Sequence, residues 1–179
     1  DTTATKLHKL TAPTVEANDR FGHQVAIYGN YVIVGAPRDD ASGVDSGSVF
    51  IYSFDDTTLT LLHELQPSEA GDYFGISVGI TGEIAIVGSY YDDDGGSNSG
   101  AAYIFDVTTG AQLEKKTASD AAANDYFGSS VAIDGYNAIA GAYGNDDAGP
   151  QSGSAYIFAI QGFGGVDSVY SIQELHDVG

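Results

Sequence analysis

The sequence predicts an all-β fold of repeated four-stranded antiparallel units. A set of motifs recurs every 53 residues, each unit holds four short runs rich in Val, Ile, Tyr and Phe, and no segment sustains the 3.6-residue apolar period of a helix. Gly, Asp and Asn separate the runs, as turns between strands require.

The elements follow in the same order in every unit. The first run begins "FGHQVAI" at Phe21, "FGISVGI" at Phe74 and "FGSSVAI" at Phe127, and an aspartate stands two residues ahead of each pair, at Asp19, Asp72 and Asp125. A link of the "YGNY" or "ITGE" kind follows, with Gly beside a polar residue between apolar runs, which is hairpin chemistry because a tight hairpin turn needs positive φ. The second run ("VIV", "IAIV", "AIA") is apolar without alternation, as in a strand covered on both faces. Gly35, Gly88 and Gly141 recur at its end, where a close neighbouring backbone would exclude a side chain. The third run is "SGSVFIY", "SGAAYIF" and "SGSAYIF". The fourth alternates and carries charge ("LLHEL", "SIQEL"), as a half-exposed outer strand would, and "KLHKL" near the amino terminus has the same character.

Four antiparallel strands in roughly 50 residues is the size of a β-propeller blade. The succession Phe-Gly, strand, Gly-Ala-Pro, then Gly-x-Val-x-Ile-Tyr resembles the FG-GAP repeat, the blade unit of the integrin α-subunit propeller and of many secreted proteins. Phe21-Gly22 with Gly35-Ala36-Pro37 is the fullest match; Gly88-Ser89-Tyr90 and Gly141-Ala142-Tyr143 depart from the Gly-Ala-Pro part. The expected architecture is a single FG-GAP-type β-propeller segment over residues 1–179, with repeats at about 19–71, 72–124 and 125–177 and residues 1–12 as an outer strand of a preceding blade. Propellers close with roughly four to eight blades. Three blades in an open arc would expose the apolar faces of the terminal ones, so the chain is expected to be part of a larger propeller, a protomer that associates with copies of itself, or a fragment.

Composition narrows the function classes. The 179 residues, 42% apolar, suffice for one folded domain with a sizeable core. With 25 Asp and Glu against 6 Lys and Arg, the formal charge is −19, which repels phosphate backbones and anionic membrane surfaces and favours cations or basic partners. No apolar run approaches the ~20 residues of a membrane span. Without cysteine there is no disulfide framework, thiolate metal site or cysteine nucleophile.

The most distinctive polar feature is a family of loops between the second and third strands: "PRDDASGVDSG", "YYDDDGGSNSG" and "YGNDDAGPQSG". Candidate metal ligands are Asp39, Asp40 and Asp45 in the first, Asp92, Asp93, Asp94 and Asn98 in the second, and Asp146 and Asp147 in the third. Ca²⁺ takes six to eight oxygens, and a glycine-containing loop with two or three carboxylates plus amide and carbonyl groups supplies most of them. The same residues suit a polar turn for backbone reasons alone. The DxDxDG-like Ca²⁺ loop of integrin-type blades lies between the first and second strands, where this chain has only "YGN", "TGE" or "DGY", so those ligands do not transfer. Tyr90, Tyr91 and Tyr143 stand at loop entrances, where they could stack on sugars.

Catalytic patterns fare worse. "GISVG" at Gly75–Gly79 has nucleophile-elbow spacing, but that motif needs a strand-to-helix turn, and Ser77 falls inside an expected strand. His8, His23, His63 and His176 show no metal-protease spacing, and Lys115-Lys116 is too sparse for a basic patch. The sequence therefore points to a non-catalytic extracellular or cell-surface scaffold or adhesion module, with a protein or glycan ligand met by blade-rim loops and Ca²⁺ as a stiffener. The alternatives are a carbohydrate-binding or accessory propeller of a larger enzyme, and a self-assembling structural subunit.

Overall fold

The computed structural model describes residues 3–14, 16–66 and 69–162. It contains only strands: β1 (Val25–Tyr28), β2 (Tyr31–Ala36), β3 (Ser48–Phe54), β4 (Leu59–Leu65), β5 (Ser77–Thr81), β6 (Ile84–Ser89), β7 (Ala101–Asp106), β8 (Gln112–Lys116), β9 (Phe127–Asp134), β10 (Asn137–Ala142) and β11 (Ser154–Ala159). They form three antiparallel sheets in the orders β1-β2-β3-β4, β5-β6-β7-β8 and β9-β10-β11, which are successive blades. The outer strand expected around "SIQEL", with His176, lies outside the described residues.

The hairpins form where Gly stands between apolar runs. Tyr28 pairs with Tyr31, Thr81 with Ile84 and Asp134 with Asn137, leaving two-residue links whose Gly29, Gly82 and Gly135 have φ of 56, 52 and 55°. Two irregularities also obey the repeat: the β3–β4 ladder shifts at Ile51/Tyr52 and the β7–β8 ladder at Ile104/Phe105. Two of the three Phe-Gly pairs precede their strands rather than opening them. Phe21-Gly22 and Phe74-Gly75 sit in turns, with Gly22 and Gly75 both at φ 88°, and only Phe127-Gly128 is counted into its strand.

The sheets stack face to face, and the core is divided accordingly. Ile33, Val49 and Ile51 of the first sheet meet Phe74, Val78, Ile80 and Phe105 of the second. Ile84, Ile86 and Ile104 of the second meet Phe127, Val131, Ile133 and Phe158 of the third. The middle sheet is covered on both sides, and β6 is buried throughout, as its unbroken apolar run requires. β10 instead alternates between buried and exposed, because the described residues cover only one face of its sheet. Residues 3–12 carry no strand pairing: the segment lies along the first sheet, with Leu10 against Val34 and Phe50 and His8 Nε2 donating to the Asp55 carbonyl at 2.8 Å.

Backbone contact between blades explains two of the repeated glycines. A Cβ on Gly35 would stand 2.1 Å from the Gly75 carbonyl oxygen, and one on Gly88 1.9 Å from that of Gly128. Neither neighbour is a side chain that could rotate away, so both positions exclude every other residue.

Candidate functional site

In an antiparallel blade the link from the second to the third strand and the link into the first strand leave from the same edge. That edge carries the three acidic loops and the residues just ahead of each Phe-Gly pair, and the two sets are bonded to each other. The Tyr73 and Phe74 amides donate to the Asp45 and Ser46 carbonyls (3.1 and 3.0 Å), and the Tyr126 and Phe127 amides donate to those of Asn98 and Ser99 (3.1 and 2.8 Å). The first two loops are thus clamped between their own blade and the next.

Within a loop the first acidic or amide side chain is an internal brace. Asp39 is buried; its Oδ1 accepts the Ala41 amide at 2.9 Å and the Ser48 hydroxyl at 3.0 Å. Asn145 repeats this, taking the Ser154 hydroxyl at 2.8 Å and the more distant Asp147 amide. These are Asx turns, in which the side chain satisfies the backbone two residues on. The second acid spans the loop: Asp40 Oδ1 accepts the Asp45 amide at 2.7 Å and Asp93 Oδ1 the Asn98 amide at 2.6 Å. Asp45 and Asn98 stand in the left-handed region, at φ of 52 and 54°. Closure by Gly47, Gly100 and Gly153 onto the carbonyls of Asp39, Asp92 and Asn145 completes the pattern at 2.8–2.9 Å.

The middle loop differs because Ala101 stands where the other blades have Ser48 and Ser154. Asp92, buried, recruits two other donors to Oδ2, the Tyr103 hydroxyl and the Lys115 ammonium, each at 2.7 Å. Lys115 also reaches Asp94 Oδ2 at 2.5 Å. Burial opposes the charge on Lys115, but the hydrogen bonds it donates to Asp92 and Asp94 outweigh it and hold the ammonium more basic than usual. Burial and the neighbouring Asp92 push the Asp72 carboxyl up to about 7. In the third loop, the exposed Asp147 is raised by a hydrogen bond with Asp120, whose own carboxylate is held low by the Tyr156 hydroxyl at 2.7 Å.

Of the candidate ligands, Asp39, Asp40, Asp92 and Asp93 are thus placed as turn braces. Asp39 and Asp92 point inward; Asp40, Asp93, Asp146 and Asp147 are exposed; Asp45 accepts the Tyr73 hydroxyl at 3.2 Å and faces Arg38; Asn98 Nδ2 donates to Asn124 Oδ1 at 3.0 Å. Among the described residues no three His, Cys, Asp or Glu side chains converge on one point, and in the middle loop an ammonium stands between the two carboxylates.

Beside the loops runs a row of tyrosines. Tyr90 stacks on Tyr91 at 4.1 Å between centroids, Tyr73 meets Tyr91 edge-on at 5.1 Å, Tyr126 lies 5.8 Å from Tyr91, and Tyr143 stacks on Tyr126 at 4.9 Å. Arg38 caps one end, its guanidinium 5.7 Å from the Tyr73 centroid. Tyr143 ends the other, 57% exposed. The loop entrances pointed to Tyr90, Tyr91 and Tyr143; Tyr73 and Tyr126 were missed, although they hold one repeat position directly before Phe-Gly. Lys115 was missed as the counter-charge of the middle loop. Ser77, in β5, donates its hydroxyl to the Gly128 carbonyl at 2.7 Å across the second blade interface, and His63 Nε2 donates to the Thr108 carbonyl at 3.1 Å.

A family model described as FG-GAP repeat matches residues 5–52, 67–105 and 111–158. No curated protein matches the chain. Among solved structures it is similar to the computationally designed Ika4 protein, at 14% identity and a TM-score of 0.41, covering 88% of this chain and 99% of that one. It is also similar to the computationally designed Ika8 protein, at 14% identity and a TM-score of 0.42, covering 76% of this chain and 45% of that one.

Proposed function

The chain belongs to the FG-GAP repeat family, and on that premise we propose that it is a non-catalytic binding module of the extracellular space or cell surface, which meets a basic protein partner on its loop rim. The observation that carries the reading is the contiguous tyrosine row set among acidic loops. Tyrosine offers large, rigid, amphipathic contact area at low entropic cost, and its ring faces attract Arg and Lys. Arg38 over Tyr73 already shows that pairing within the chain. A net charge of −19 adds long-range attraction for a cationic partner. FG-GAP repeats are typical of extracellular and surface proteins, which supports the location.

The test is binding of immobilised protein to arrays of Arg- and Lys-rich peptides and of glycans. Saturable binding to basic peptides that weakens several-fold between low and physiological salt and is lost in Tyr143→Ala supports the reading. Binding confined to glycans moves the module to the carbohydrate-binding alternative, which the stacked tyrosines also favour. Ca²⁺ enters only as a stiffener, reached through the exposed Asp40, Asp93, Asp146 and Asp147; at the middle loop it would have to displace Lys115. Calorimetric titration of EDTA-treated protein should then show heat and a raised melting temperature, and silence in both removes the cation from the reading.

A further inference from the structure

We propose that the open face of the third blade is a docking surface for the first blade of a second copy of this chain, associating head to tail. The repeat supplies the comparison. Ile33 and Ile51 of the first blade, and Ile86 and Ile104 of the second, occupy the face that receives the following blade, and all four are 0% exposed. Their counterparts in the third blade, Ile139 and Ile157, are 38% and 78% exposed. The third blade carries the same side chains of an interface, and no described residue covers them.

The complementary surface stands at the other end. Val78 and Ile80 of the second blade are buried against the first, whereas the equivalent Val25 and Ile27 of the first blade are 61% and 65% exposed. Leu10 covers Val34 and Phe50 on that side yet leaves these two open. An apolar groove lies there between Leu10, Phe21, Val25 and Ile27.

Polar groups match as well. At both internal interfaces the two amides up to and including the Phe of Phe-Gly donate to two loop carbonyls of the blade before. In a second copy the amides of Arg20 and Phe21 would take those places, and the carbonyls of Gln151 and Ser152 are the acceptors. Gln151, at φ 52°, holds the conformation that presents these carbonyls in Asp45 and Asn98. Gly141 makes the same point: its counterparts Gly35 and Gly88 are forced by a neighbour's carbonyl, but a Cβ on Gly141 would meet no other blade, its one close approach being the Ser130 hydroxyl at 2.5 Å. The clearance exists for a backbone that arrives from outside. Two different, mutually complementary patches make the contact heterologous.

Complementary variants test this in sedimentation equilibrium. The wild-type chain should exceed its 18.5 kDa monomer mass as concentration rises, more so at high salt, which screens its self-repulsion. Ile157→Asp closes only the receiving face and Ile27→Asp only the entering one; both residues are exposed, so both variants should keep the far-ultraviolet circular dichroism of the wild type. Each should be monomeric alone, and an equimolar mixture should give a species of about twice the monomer mass and no larger one. A wild-type mass that stays monomeric at every concentration overturns the proposal and leaves the face to another occupant, such as a following blade of a longer polypeptide. Association that survives both substitutions, or a mixture that stays monomeric, overturns it equally.

Discussion

Asp92 shows how one substitution reorganises a repeated site. In the flanking blades a strand serine donates to the first loop residue; where Ala101 removes that hydroxyl, Tyr103 and Lys115 take its place. A buried carboxylate without its cation is costly, so Lys115→Met should destabilise the chain by about 2–3 kcal/mol, less than a fully buried pair because the ammonium is partly exposed. The third blade carries Asn at the equivalent place, so adding Asp92→Asn to that variant should recover most of the loss. Denaturant unfolding of the single and double variants measures both steps. Asp72 supplies a pH dependence. Its carboxyl titrates near 7 in the fold against an ordinary value of 3.8, so across that window the native chain holds a proton that the unfolded chain releases. Its contribution therefore declines as pH rises from about 4 to 7, on the order of 1–2 kcal/mol after solvent screening. Asp72→Asn should flatten that part of the stability curve, as thermal unfolding across pH would show.

At the scale of elements, the glycines at the end of the second strands separate two demands that look identical in sequence. Gly88→Ala would drive a methyl into the Gly128 carbonyl and should cost about 3 kcal/mol or more. Gly141→Ala, opposite a hydroxyl that can rotate, should cost the isolated chain under about 1 kcal/mol, while blocking the approach of another blade. Melting temperatures of the two variants at low concentration should differ accordingly. Strands, hairpins and loop positions were legible because backbone requirements repeat every unit, from positive φ at Gly29 to the Asx brace at Asp39. Contacts between blades were less so. Only the stacking of sheets brings Tyr73 and Tyr126 to Tyr91, and Lys115 lies far along the chain from the loop it neutralises.

For the whole molecule, the three blades form a series with one covered unit between two partly open ones. The terminal apolar faces expected of an open arc are present, at Val25 and Ile27 on one side and Ile139 and Ile157 on the other. The loop rim lies along the edges of the sheets rather than on these faces, so binding at the rim and association through the faces are separable. Ile157→Asp should leave peptide binding at the rim unchanged. Backbone amide NMR shifts, followed as an Arg-rich peptide is added, show whether the one rim of tyrosines and acidic loops does the binding. Changes should concentrate at Tyr73, Tyr90, Tyr91, Tyr126, Tyr143 and the adjoining loops. Changes concentrated instead at the opposite edge, around the hairpin glycines Gly29, Gly82 and Gly135, would contradict binding at the rim.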